Sequence, residues 1–160
     1  MELNSPLPYE VCKEDNGSYS FVTSLGIKYL IYFFDYSDIY PSFKDIFMFN
    51  IEPEDSTPHP IDNRISATVI HILDDFFTKK QYALIIICDN LDGKEVKRNK
   101  LFQRWFKKYR RNNILKIDLS SKTEDYDTYA SLFILSDNPN KEKIIEDFKG
   151  LIQHGGIPDS

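Results

Sequence analysis

The sequence is poor in cysteine and histidine and has no long hydrophobic run, and each shortage excludes a class of protein. Its two cysteines, Cys12 and Cys88, cannot build a disulfide framework, so a reducing cytoplasm is the expected compartment. The longest uninterrupted apolar stretch, Tyr82 to Cys88, has seven residues. A membrane-spanning helix needs roughly 20, so no membrane insertion is expected. The opening residues MELNSPLPYE lack the basic start and apolar middle of a secretory signal. The three histidines, His59, His71 and His154, are not spaced for zinc, and no metal site is expected. A Gly-x-Ser-x-Gly elbow, a phosphate loop and a Rossmann glycine fingerprint are missing as well.

What is present describes an ordinary folded domain. The chain has 160 residues, 41% apolar and 28% charged, and is therefore neither disordered nor collagen-like. That length suits one domain with one respectable core, with flexible ends expected over about 1–7 and 154–160. Twelve Phe and ten Tyr favour strands and a core of large residues.

Periodicity sets the order of elements. Tyr9 to Lys13, Ser18 to Ser24, Ile27 to Phe34 and about Phe43 to Ile51 read as four strands. Asp15-Asn16-Gly17 and Leu25-Gly26 are turn signals between the first three. Ile27, Tyr29, Ile31 and Phe33 share one face of the third strand while Leu30, Tyr32 and Phe34 share the other. Both faces look covered, which predicts a central strand. Three prolines make Glu52 to Pro60 a loop, and a helix capped by Asp62 or Asn63 follows, ending near Lys79. Ile65, Val69, Ile70, Ile72, Leu73, Phe76 and Phe77 fall in its apolar arc, opposite Arg64, His71 and Asp75. Tyr82 to Cys88 is a buried strand, Val96 to Asn112 a second helix, and Ile114 to Leu119 with Tyr126 to Leu135 a strand pair. Pro139 opens a last helix that stops at Gly155-Gly156. The prediction is an α+β fold with a single mixed, mostly antiparallel sheet, in the order ββββ-α-β-α-ββ-α.

The sharpest anomaly is charge. Lys94 to Arg111 holds nine Lys or Arg against one acid, a local +8, so the rest of the chain carries −13 of the total −5. On a helical wheel Leu101, Phe102, Trp105, Phe106 and Tyr109 form the apolar arc, and Lys97, Lys100, Arg104, Lys107, Lys108 and Arg111 face away from it. Such a face can hold an acidic protein or nucleic acid, or it can be a solvated surface balanced by the protein's own acids. The natural counterweight is Asp35 to Asp62, with seven acids against Lys44 alone. Arg98 falls inside the apolar arc, which predicts a buried ion pair, or an anion site, with Asp89 or Asp92. Asp89 and Asp92 themselves read as turn residues rather than magnesium ligands. Cys88 reads as inert packing in a buried strand.

Two resemblances follow from these segments. YSFVTSLGIKYLIYF together with ICDNLDGKEVKRNKLFQRWF, and above all the run CD-x-x-DGK…R-x-x-LF-x-RWF, resembles a family of small Bacteroidota proteins that form a domain of unknown function. That likeness implies a cytoplasmic bacterial protein and no particular activity. The order of elements is also similar to the core of the acetyl-CoA-dependent N-acetyltransferases. There the start of the first helix cradles the cofactor pyrophosphate on backbone N–H groups. The likeness places Asn63, Arg64, Ile65 and Ser66 at that position and LFQRWFKKY in a later helix. It also implies a slot between splayed strands beside the helix. The superfamily's Arg/Gln-x-x-Gly-x-Gly/Ala signature and its first two helices are absent here.

The residues lead to a non-catalytic binding module without a cofactor, using Lys97, Lys100, Arg104, Lys107, Lys108 and Arg111 to hold an acidic protein or nucleic acid. The alternative is a divergent acyl-CoA-binding enzyme that takes acetyl-CoA at Asn63, Arg64 and Ser66.

Overall fold

A computed structural model describes residues 7–15, 18–55, 62–89, 104, 113–122 and 127–153, with backbone alone at positions 88, 89 and 127. Seven strands form one sheet: β1 (Cys12–Lys13), β2 (Tyr19–Val22), β3 (Lys28–Asp35), β4 (Ile46–Pro53), β5 (Ala83–Asp89), β6 (Ile114–Lys122) and β7 (Asp127–Leu135). Two helices are described, α1 (Asn63–Phe76) between β4 and β5 and α2 (Lys141–Gln153) after β7. The spatial order is β1-β2-β3-β4-β5-β7-β6. Every neighbouring pair is antiparallel except β4 with β5, which α1 connects as a parallel crossover. This is the predicted α+β fold with a single mixed sheet. Of the second predicted helix, Val96 to Asn112, only Arg104 is among the described residues, and it is helical. The Gly155-Gly156 stop and the Asn16-Gly17 turn lie outside them. Among the described residues no helix is long and apolar enough to cross a membrane.

Each face of the sheet builds its own core. α1 brings Ile65, Val69, Ile72 and Leu73 against Phe21, Tyr29, Ile31, Phe49, Leu84 and Ile86. On the other face α2 packs Ile144, Phe148, Leu151 and Ile152 against Ile46, Ala83, Ile85, Ala130, Leu132 and Ile134. The alternation of side chains along β5 serves both: Leu84 and Ile86 point one way, Ala83 and Ile85 the other. All four are buried, which is why that strand reads as one continuous apolar run.

The structure corrects several boundaries. β1 is shorter than expected because Tyr9 leaves the sheet direction, its N–H donating to the Thr68 hydroxyl of α1 at 2.7 Å. β4 starts three residues late because Asp45 adopts φ 63°, a left-handed conformation that interrupts an extended chain. It then runs on through Pro53, opposite Tyr29. β3 is interior in the sheet, and its two faces are unequally buried: Tyr29 and Ile31 are buried, whereas Leu30 and Tyr32 are half-buried and Phe34 is exposed. α2 begins at Lys141 rather than at Pro139, since the Asn138 side chain accepts from the Asn140 N–H at 2.8 Å.

Candidate functional site

The predicted contact face is described at one position. Arg104 is helical and exposed, whereas Lys97, Lys100, Lys107, Lys108 and Arg111 lie outside the described residues. Arg98 and Asp92 also lie outside them, and Asp89 is described only as the backbone end of β5, opposite Thr128. The acidic counterweight is better defined. Asp35 accepts from the Ser37 N–H at 2.9 Å and from its hydroxyl at 2.8 Å, capping a 3-10 turn at Tyr36–Asp38. Glu54 pairs with Lys28 at 3.7 Å, which also reaches Glu14 at 3.3 Å. Asp62 caps α1, its carboxylate accepting from the Ile65 N–H at 3.0 Å. These three acids are thus held by groups close to them in the fold.

Asn63, Arg64 and Ser66 do come together, on the first turn of α1, and the geometry there tests the acetyl-CoA expectation. β4 and β5 pair at only three positions, Ile46–Ala83, Phe47–Leu84 and Met48–Ile85, although β4 continues to Pro53 and β5 to Asp89. The strands therefore part at the end from which the chain leaves for α1. The helix start itself is occupied. Tyr9 donates its hydroxyl to the second Asp62 oxygen at 2.5 Å, and Arg64 Nε donates to the Leu7 carbonyl at 2.9 Å. The Arg64 guanidinium lies 4.0 Å above the Tyr9 ring, and the Ser66 hydroxyl turns back to the Asn63 carbonyl at 2.9 Å. A diphosphate placed here meets a like-charged carboxylate on the N–H group it would use. The sequence also has no glycine between Gly26 and Gly93 to admit a phosphate against the backbone. These residues do not fit a coenzyme A diphosphate.

The other end of α1 is open. A groove of about 700 Å³ runs between the C-terminal half of α1 and the strands β1 to β4. Tyr19, Phe33, Phe47, Phe76 and Tyr82 line it, each half-buried. Phe33 stacks on Phe76 at 5.0 Å with an interplanar angle of 8°, and Phe47 meets Phe76 edge-on at 5.6 Å. Tyr82 contacts both Phe47 at 4.7 Å and Phe76 at 5.4 Å, and Tyr19 meets Phe33 edge-on at 6.2 Å. The register explains the gathering: Phe33 and Phe47 lie on the α1-facing side of adjacent strands, with Tyr19 beside them on β2. Lys13, His71, Asp75 and Lys79 form an exposed rim. Among the described residues none of these four side chains has a hydrogen-bond or ionic partner. Sequence reasoning placed Phe33 and Phe76 in the core and His71 and Asp75 on the open face of α1, but did not join them. No described group of His, Cys, Asp or Glu is arranged to hold a metal ion.

No curated protein matches the chain. A sequence profile described as a family of unknown function, DUF6169, matches residues 61–150. The matched residues run from the Asp62 cap through α1, β5, β6 and β7 into α2, and so contribute the helical wall and Tyr82 of the groove but not its β1 to β4 side. With more than half of its residues matched, the chain belongs to the family of unknown function DUF6169.

Proposed function

We propose that this domain is a binding module for an anionic partner, an acidic protein segment or a nucleic acid, held by Lys97, Lys100, Arg104, Lys107, Lys108 and Arg111. The observation that carries the reading is the +8 concentrated between Lys94 and Arg111 in a chain that is otherwise −13, with Arg104 exposed within it. The fold adds support. Asp35, Glu54 and Asp62, three acids of the expected counterweight, are already engaged with Ser37, Lys28 and the Ile65 N–H. Arg98 makes a different contact in this reading, an ion pair with Asp89 or Asp92 at the end of β5.

The test is fluorescence anisotropy with a labelled short duplex and a labelled oligoglutamate, each at low and moderate salt. The triple variant K100E/R104E/K107E should bind its preferred probe at least about ten-fold more weakly, and the native affinity should fall steeply with salt. Unchanged binding by the triple variant, with an unchanged melting temperature, would sink the reading.

A second reading, an acyl-CoA-binding enzyme taking acetyl-CoA, is favoured by the parting of β4 from β5 after three paired positions. It is opposed by the Asp62 cap where the diphosphate would sit. A thermal shift with acetyl-CoA separates the two, because a ligand at 100 times its Kd adds about 2.7 kcal/mol of stability.

A further inference from the structure

The groove at the C-terminal end of α1 shares no lining residue with the basic stretch. Five aromatic rings touch one another there while each stays half-exposed, an arrangement that leaves a contiguous apolar surface in water. The Phe33–Phe76 stack ties the helix wall to the sheet, so the shape exists before anything binds. Its volume of about 700 Å³ lies within the range of small-molecule sites, roughly 300–1,000 Å³. Flat rings on two walls select a flat, aromatic occupant.

Charge at the rim decides the rest. Lys13 and Lys79 place two ammonium groups there against the single carboxylate of Asp75, a local positive balance in a chain of net −5. The carbonyls of the helix end, which would oppose an anion, are in part engaged. The Leu73, Asp75 and Phe76 carbonyls are taken by the N–H groups of Phe77, Thr78 and Lys79, and the Asp75 carbonyl also accepts from the Thr78 hydroxyl at 2.7 Å. We propose that this groove binds a small planar aromatic molecule bearing one negative charge, with the ring held between Phe33, Phe47, Phe76 and Tyr82 and the charge met by Lys13 and Lys79.

Calorimetric titration of the full chain with 2-naphthoate, 2-naphthylmethanol and 2-naphthylmethylammonium tests this. Saturable one-to-one binding is expected, with naphthoate at least about five-fold tighter than the neutral alcohol and the ammonium weakest. Replacing both rim lysines, Lys13→Glu with Lys79→Glu, leaves a rim of carboxylates and should make naphthoate bind more weakly than the alcohol while leaving the alcohol unchanged. His71→Trp narrows the groove from an exposed position and should weaken all three probes without lowering the melting temperature. K100E/R104E/K107E is run in parallel, because the basic stretch is a competing home for an anion. Naphthoate binding that survives this triple variant supports the groove, and binding lost with it overturns the proposal. So does failure of all three probes to saturate, an ammonium that binds as tightly as naphthoate, or binding indifferent to His71→Trp.

Discussion

The two ends of α1 lie over the same face of the same sheet and finish differently. At the first end Tyr9 enters the core, stacked on Phe21 at 5.7 Å, which is stacked in turn on Tyr29 at 5.3 Å. Its N–H is satisfied by Thr68 and its hydroxyl by Asp62, so a residue outside the sheet covers the core at that end. At the second end the rings are as numerous, yet among the described residues no comparable segment crosses them, and Phe33, Phe47, Phe76 and Tyr82 remain half-buried. Aromatic content alone therefore does not close a core. What closes it is a strap whose polar backbone can be satisfied where it lands. The strap and its Asp62 anchor also place a carboxylate on the Ile65 N–H, at the position the acetyl-CoA expectation assigns to a diphosphate.

The largest effect that would break this contrast is at the middle ring of the stack. Phe21→Ala should cost about 3–5 kcal/mol in denaturant unfolding, since the ring is 1% exposed and its neighbours cannot collapse into the space. Phe47→Ala, at the open end, should cost less than half as much because water already reaches that ring. Equal losses would mean that the two ends are packed alike.

Alkali probes the contrast next. Burial pushes the Tyr36 hydroxyl up to about 12, with the neighbouring Tyr40 adding in the same direction. A group raised on folding stabilises below its unfolded value and loses that contribution as pH rises through its folded value. The Tyr36 contribution, on the order of 2 kcal/mol, should thus be present below pH about 10 and lost towards pH about 12. Tyr36→Phe should abolish that part of the alkaline transition. Tyr29 is also raised, by burial and by the Asp62 carboxylate, so a second part of the loss should belong to the sealed end and disappear in Tyr29→Phe. A double variant that still unfolds at the native alkaline midpoint would refute this assignment.

A smaller change acts on the strap itself. Thr68→Val removes the acceptor of a buried Tyr9 N–H at nearly constant volume and should cost about 1–3 kcal/mol. Amide exchange should accelerate at Tyr9 and leave β5 protected. Exchange unaltered at Tyr9 would show that the strap is held by the ring stack alone.

Much of the fold was legible because its signals are local. The Asp62 cap and the apolar arc of α1, the continuous run of β5 and the β6–β7 hairpin each depend on residues a few positions apart, where spacing and geometry coincide. Tyr9 was misread as a strand residue because its partners, Thr68 and Asp62, are more than fifty residues away. Phe33 was read as facing a covered interior because alternation reports which side of a strand is apolar and not whether anything lies over it. The groove escaped for that reason, though one signal was available: His71 and Asp75, a helical turn apart, stand polar beside the apolar Ile72 and Phe76.

By itself the sequence determined an α+β domain, the kind and order of the strands and helices now described, the polar start of α1 and the concentration of positive charge between Lys94 and Arg111. Those properties follow from neighbouring residues, whose periodicity and charge are independent of where the rest of the chain goes. The tertiary structure alone decided that β7 lies between β5 and β6, that β4 and β5 part after three pairs, and that one end of α1 is sealed while the other is open. Each of these depends on which distant groups meet, and a side chain's exposure is a property of that meeting.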